Sequence, residues 1–196
     1  MAKELRKLKR FRFQLLHSWI TENFTPSTTA DIGGGKGLLA YLLNQDGYPT
    51  TVIDPFSQAL PKIYKDLDGK RHKLPANITV PRVDKEFTQE MAKDFDLLIG
   101  MHAHGSNMKI IDAATAYKKD FILLPCCVID EPVIPQADIN WLDSLEEYAQ
   151  KKGHQVKRFE LNFKGQNIGI YMKGTVNKKE PNSYQVPKRN LKEEMI

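Results

Sequence analysis

The residues best suited to chemistry fall at four places in this 196-residue chain. Asp31-Ile32-Gly33-Gly34-Gly35-Lys36-Gly37 sets an acid ahead of alternating glycines. Asp54 follows, then Asp84 with Glu86 beside it. Farther on come His102-Ala103-His104-Gly105 and Pro125-Cys126-Cys127. Alternating glycines after a strand and before a helix let the backbone turn sharply and approach a ligand closely. Spacing separates the nucleotide-binding possibilities. A P-loop requires Ser or Thr after its Gly-Lys pair, and here Lys36 is followed by Gly37. A dinucleotide fingerprint starting at Gly33 requires glycine at position 38, which Leu38 occupies.

The order acid, any, Gly, any, Gly, any, Gly resembles the cofactor loop of class I S-adenosylmethionine-dependent methyltransferases. The resemblance implies that Asp31, Gly33, Gly35 and Gly37 hold S-adenosylmethionine. A carboxylate attracts its sulfonium and ammonium groups and would repel a pyrophosphate. Asp54, nineteen residues after Gly35, would accept hydrogen bonds from the ribose hydroxyls. Asp84, with Glu86 as the alternative, would meet the adenine amine.

A narrower resemblance rests on His102-Ala103-His104-Gly105 and Pro125-Cys126-Cys127. They are similar to the His-Ala/Leu-Cys-Gly and Pro-Cys-Cys motifs of a branch that includes the tRNA acceptor-stem 2′-O-methyltransferases. The similarity covers residues 28–130 and departs at His104, where the branch carries cysteine. It implies a catalytic or substrate-orienting role for His102, whose neutral imidazole can take a proton from a hydroxyl or amine. His104 is a second catalytic candidate. Cys126 and Cys127 are read as small thiols shaping the pocket, with Cys126 toward the substrate. No metal is expected, because adjacent cysteines seldom both ligate one tetrahedral ion.

These residues need a scaffold that brings strand ends together. Residues 28–32, 50–54, 95–101 and 121–125 read as strands, with 77–83 as an edge strand because of Pro81. Helical patterns cover 38–44, 109–119 and 141–152. Residues 66–75 read as a loop, and 155–163 with 168–173 as an antiparallel hairpin. Strands alternating with helices and closed by a hairpin predict an α/β, Rossmann-like doubly wound sheet, mostly parallel, with ligands beyond the strand carboxyl ends. The expected division is a basic amphipathic helix in residues 1–25, a methyltransferase domain in 26–174 and a polar, flexible tail in 175–196.

Composition narrows the function classes. Hydrophobic residues make up 41% and charged residues 27%, ordinary for a soluble protein. No apolar run is long enough to span a bilayer. The charged N-terminus lacks the apolar core of a secretory signal, so a cytoplasmic location is expected. Neighbouring Cys126 and Cys127 are poorly placed for a structural disulfide and are read as thiols. Lys3, Arg6, Lys7, Lys9, Arg10 and Arg12, against Glu4 alone, match the whole net charge of +5. That concentration suits a polyanion, so Arg6, Lys9, Arg10 and Arg12 are expected to contact RNA phosphates. Phe11, Phe13 and Trp19 lie on the same helical pattern, as stacking or core residues. Transfer to a small molecule beneath a helical lid, or a catalytically silent partner-binding domain, stay open beside transfer to tRNA or ribosomal RNA.

Overall fold

The computed structural model describes residues 6–132, 135 and 139–174. The tail expected in 175–196 and the first five residues lie outside them. Strands β1 (Thr29–Ile32), β2 (Thr50–Ile53), β5 (Arg82–Val83), β6 (Leu97–Met101), β7 (Asp120–Leu124), β8 (Lys157–Glu160) and β9 (Ile168–Met172) form one sheet. Its order is β5-β2-β1-β6-β7-β9-β8. The first five strands are parallel, and β9 runs antiparallel to both β7 and β8. This is the expected α/β doubly wound sheet with its closing hairpin. The chain moves outward from β1 through β2 to β5, then crosses back to β6. The carboxyl ends of β1 and β6 therefore flank the switch point, where such sheets bind ligands.

Strand alternation explains the layers. Leu97, Ile99, Met101, Ile122 and Leu124 face α1 (Arg12–Asn23) and α2 (Leu38–Gln45), meeting Leu16, Ile20, Leu39 and Leu43. Leu98, Phe121 and Leu123 face the opposite side, against Ile110, Ile111 and Ala114 of α3 (Asn107–Tyr117) and Leu145 and Ala149 of α4 (Trp141–Lys151). Both faces are covered, as a parallel sheet requires. Asn140 caps α4 by accepting a hydrogen bond from the Leu142 N–H at 2.9 Å. No helix among the described residues is long and apolar enough to cross a membrane.

Three segments differ from the sequence-based expectation, the first being the edge strand, which is confined to Arg82–Val83 within the expected 77–83. The basic segment does not continue α1 as one helix. Residues 6–8 lead into a 3-10 turn at Lys9–Phe11, and α1 begins only at Arg12. The Lys7 N–H donates to the Asn162 carbonyl at 3.0 Å, and the Lys164 N–H donates to the Lys7 carbonyl at 2.9 Å. That ladder pairing captures the backbone groups a helix would have used, and Leu8, counted in the helical period, is exposed. Within the stretch read as a loop, Arg71–Lys73 forms strand β4 against β3 (Ile63–Lys65), antiparallel and separate from the main sheet. Asp66 organises the intervening turn by accepting the Asp68 and Lys70 N–H groups at 3.0 and 2.8 Å.

Candidate active site

Three loop ends are stitched together beyond β1, β2 and β5. Gly33 has φ 66° and Gly37 φ 76°, left-handed values that glycine adopts without steric cost. Space is equally restrictive. A Cβ on Gly33 would lie 2.9 Å from the Ala103 Cβ, and one on Gly34 would lie 2.5 Å from Oδ2 of Asp31. Gly35 also has positive φ, but beyond it a Cβ would meet only Gln58, at 3.8 Å. Its outer face is open to a ligand. Asp54 accepts the Gly35 N–H on Oδ2 and the Phe56 N–H on Oδ1, both at 2.9 Å. Arg82 donates to the Gly35 carbonyl at 2.8 Å, the Phe56 carbonyl at 3.0 Å and Asp84 at 3.0 Å.

Asp31 is the exception in this satisfied network. It is 2% exposed, and Oδ2 has no hydrogen-bond partner among the described residues. Burial pushes its carboxyl up to about 7; the Ala40 N–H pulls against that shift, the Asp54 charge adds to it, and Arg82 opposes it. An acid held this way gains from a cationic or hydrogen-bond-donating ligand.

At the end of β6, His102 has φ 55°, uncommon for a residue with a side chain. Its N–H donates to the Leu124 carbonyl at 2.9 Å, fixing the strand end. Both ring nitrogens are buried without a hydrogen-bond partner among the described residues. Burial, followed by the charges of Lys9, Arg12 and His104, brings the imidazole down to about 4, leaving it neutral at neutral pH. His104 takes a different position. Its Nε2 lies 3.1 Å from Sγ of Cys126 and 3.3 Å from Sγ of Cys127. Burial and then the neighbouring Cys127 push the Cys126 thiol up to about 11, with Lys9 opposing. That thiol is no ready nucleophile. The two imidazoles, one residue apart in sequence, thus serve different surroundings.

Two cavities meet at this strand end, sharing Gly33 and His102. One, of about 710 Å³, lies between the Gly33–Lys36 loop, the start of α1 and the β3–β4 hairpin. Arg10, Arg12, Lys36, Lys65 and Arg71 line it together with Phe11, Phe13 and Tyr64, and no described lining residue is acidic. The other, of about 520 Å³, is lined by Asp54, Glu86 and Asp130, with Lys109 as its one lysine or arginine among the described residues. Phe56, Phe87 and His104 also line it.

The expected site residues distribute unevenly over these spaces. Asp54 and Glu86 line the acidic cavity, whereas Asp84 pairs with Arg82 and does not. Arg10 and Arg12 line the basic cavity. Arg6 instead binds Glu160 at 2.7 Å on β8. Lys9 lies close enough to His102 and Cys126 to influence both. Trp19 belongs to the core, stacked on Phe159 with ring centroids 4.1 Å apart.

Three further residues emerge only from the fold. Arg82 ties the loops together. Glu131 accepts the Asn107 and Met108 N–H groups at 2.8 and 3.2 Å, drawing the loop after β7 over the start of α3. Gln14 donates to the Lys65 carbonyl at 2.5 Å, while its buried Oε1 has no partner among the described residues and the residue lines the basic cavity. A polar residue three positions after Phe11 on a core-facing helix is the one available sequence signal among them.

Comparison with known proteins gives a consistent direction over part of the chain. No protein-family model matches. A human protein named "Probable tRNA (uracil-O(2)-)-methyltransferase" is 32% identical over 123 residues, covering 59% of this chain and 15% of the human one. A Caenorhabditis briggsae protein of the same name is 33% identical over 102 residues, covering 52% of this chain and 17% of its own. The chain thus spans about a sixth of the length of these curated relatives. Among solved structures, a Streptococcus thermophilus chain carrying a hemolysin name is similar at TM-score 0.50 and 14% identity, covering 88% of this chain and 68% of that one. That likeness concerns the fold alone.

Proposed function

We propose that this chain carries an S-adenosylmethionine-dependent methyltransferase domain that acts on RNA, with tRNA as the acceptor class. The observation that carries the reading is the junction of two oppositely charged cavities at His102. The relatives' printed names support both the transfer and the acceptor, and the alternating glycines behind Asp31 support the cofactor.

In this reading the cofactor's nucleoside lies in the acidic cavity. Gly33 lines that cavity and Gly35 the adjoining basic one, so their backbone follows the junction that the rest of the cofactor would cross, while Gly37, closed in by Val80 and Val52, shapes the turn behind them. Asp31, buried with an oxygen that no described residue satisfies, attracts the ammonium and sulfonium charges. Asp54 retains lone pairs for ribose hydroxyls after accepting two backbone N–H groups. Glu86 is favoured over Asp84 for the adenine amine because it lines that cavity. When bound, S-adenosylmethionine supplies an electrophilic methyl group that needs little activation.

The chain's remaining work is alignment and proton removal. Neutral His102 accepts a hydrogen bond from the nucleophile and takes up its proton. With its basicity so reduced, orientation is its larger contribution. Arg10, Arg12, Lys36, Lys65 and Arg71 hold phosphates in the basic cavity, and Gln14 Oε1 accepts from a base N–H. A cytoplasmic location, where Cys126 and Cys127 stay reduced, accords with this function.

The test is transfer of labelled methyl from S-adenosylmethionine into extract fractions from cells lacking the protein. Label entering tRNA, lost in His102→Ala while cofactor affinity persists, is the expected result. Label entering only metabolites would overturn the RNA acceptor. Cofactor binding without transfer to any fraction would overturn the enzymatic reading.

A further inference from the structure

The convergence of His104, Cys126 and Cys127 is not used by the proposed methyl transfer. Nε2 of His104 and the two sulfurs lie within 4.8 Å of one another, at separations of 3.1, 3.3 and 3.5 Å. Tetrahedral zinc, with Zn–S of about 2.3 Å and Zn–N of about 2.05 Å, would set S···S near about 3.8 Å and N···S near about 3.6 Å. The three donors need to spread by only a few tenths of an ångström to receive it. We propose that His104, Cys126 and Cys127 form a binding site for one thiophilic divalent cation, zinc being the best match, with a fourth coordination position left open.

Several features favour an ion over chance proximity. The donors come from two loops separated by 22 and 23 residues, so local sequence does not account for their meeting. Adjacent residues in an extended strand point to opposite sides. Here the chain has left β7 at Leu124, and both sulfurs face the same imidazole. That turn removes the objection raised by the Cys-Cys spacing.

The two loops are also fixed against each other. The Gly105 N–H donates to the Ile129 carbonyl at 3.0 Å, and a Cβ at Gly105 would lie 2.9 Å from the Asp130 carbonyl oxygen. Glu131 then pins the same loop to the start of α3. The donors are therefore preorganised without an ion.

The donor set decides the ligand class. One imidazole and two sulfurs suit zinc or another soft cation, whereas magnesium and calcium require oxygen ligands. Three protein ligands with an open position are characteristic of reactive zinc sites, in contrast to closed structural sites. His104 also lines the acidic cavity and is exposed, so solvent or a ligand oxygen can reach that position.

The test uses the full chain purified without chelator, its metal content measured by elemental analysis and its ligand field probed with cobalt(II). One zinc per chain is expected, and cobalt should show thiolate-to-metal charge transfer with tetrahedral ligand-field bands. Cys126→Ser and His104→Ala should each lower zinc affinity by about tenfold or more. Cys127→Ser should lower it similarly, while its circular dichroism and S-adenosylmethionine affinity remain those of the parent. Substoichiometric zinc after reconstitution, cobalt spectra without thiolate bands, or unchanged zinc affinity in a folded Cys127→Ser variant would each overturn the site. These readouts are independent of methyl transfer, so failure of one proposal leaves the other to its own test.

Discussion

The two cavities beside His102 share a wall but differ in charge and construction. The acidic one is built from turns directly following sheet strands, and its residues sit where the parallel topology creates a crevice. The basic one depends on additions to that sheet: the chain ahead of α1 and the β3–β4 hairpin. Lys7 reaches the Leu67 carbonyl at 2.7 Å, and Gln14 reaches that of Lys65, so these additions hold each other. The difference assigns the tasks. A sheet-end crevice rich in carboxylates suits a cationic nucleoside, and an added cationic enclosure suits a polyanion.

Removing the side chain of His102, which both cavities share, should produce the largest effect. In the proposed enzyme, where His102 chiefly orients the nucleophile, His102→Ala is expected to lower kcat/KM by roughly 10²-fold. Cofactor affinity, measured by calorimetry, should change by no more than about threefold, or about 0.65 kcal/mol. An equal loss in affinity and turnover would mean that His102 serves the acidic cavity alone. Single-turnover transfer to tRNA separates these outcomes.

The cofactor side can be tested through Asp31, which sits behind Gly34 and lines neither cavity. Its carboxyl is pushed up to about 7, so ionisation increases across neutral pH. Affinity for a cationic ligand should therefore rise about fivefold from pH 6 to pH 7, before the ligand's amino group begins losing its proton above about pH 7.7. Asp31→Asn should weaken binding and flatten this rise. A parent affinity independent of pH over that interval would remove Asp31 from cofactor binding.

The basic cavity should respond to salt instead. Arg10→Gln and Arg71→Gln are each expected to weaken tRNA binding several-fold and to reduce the salt slope by about one. Filter binding over a salt series checks this. Cofactor affinity should remain unchanged, because neither residue lines the acidic cavity. A matching loss of cofactor affinity would break the division between the cavities.

The same division marks how much was legible in the chain. Glycine spacing, β-branched strand content and apolar alternation are local signals, and they located the β1–α2–β2 unit and the later strands; of the expected cofactor residues, Gly33 and Asp54 line the acidic cavity, with Glu86 there in place of Asp84. The extended start at Lys7 depends on partners at Asn162 and Lys164, which no local helical period contains. Strands β3 and β4 have three residues each and lean on a polar turn, too short for a periodic signal. Arg82 likewise looks like an ordinary edge-strand cation until β5 pairs with β2 beside the glycine loop. His102 and His104 were grouped by sequence, but the left-handed turn at His102 and the loop held by Glu131 give them separate neighbours.

The smallest expected effect concerns stability, where Asp31 and His102 oppose each other. Asp31 in the folded chain holds its proton up to about 7, against 3.8 unperturbed, so stability falls as pH rises from about 4 through 7. His102 titrates near 4 when folded, against 6.5 unperturbed, so stability falls as pH drops from about 6.5 toward 4. Between pH 8 and pH 5 the two contributions partly cancel. Asp31→Asn should show a greater loss toward pH 5 than the parent, and His102→Gln a smaller one. Each difference should be on the order of 2 kcal/mol by urea denaturation. Parallel pH profiles for parent and both variants would mean that neither buried group changes its proton affinity on folding, removing the electrostatic contrast between Asp31 and His102.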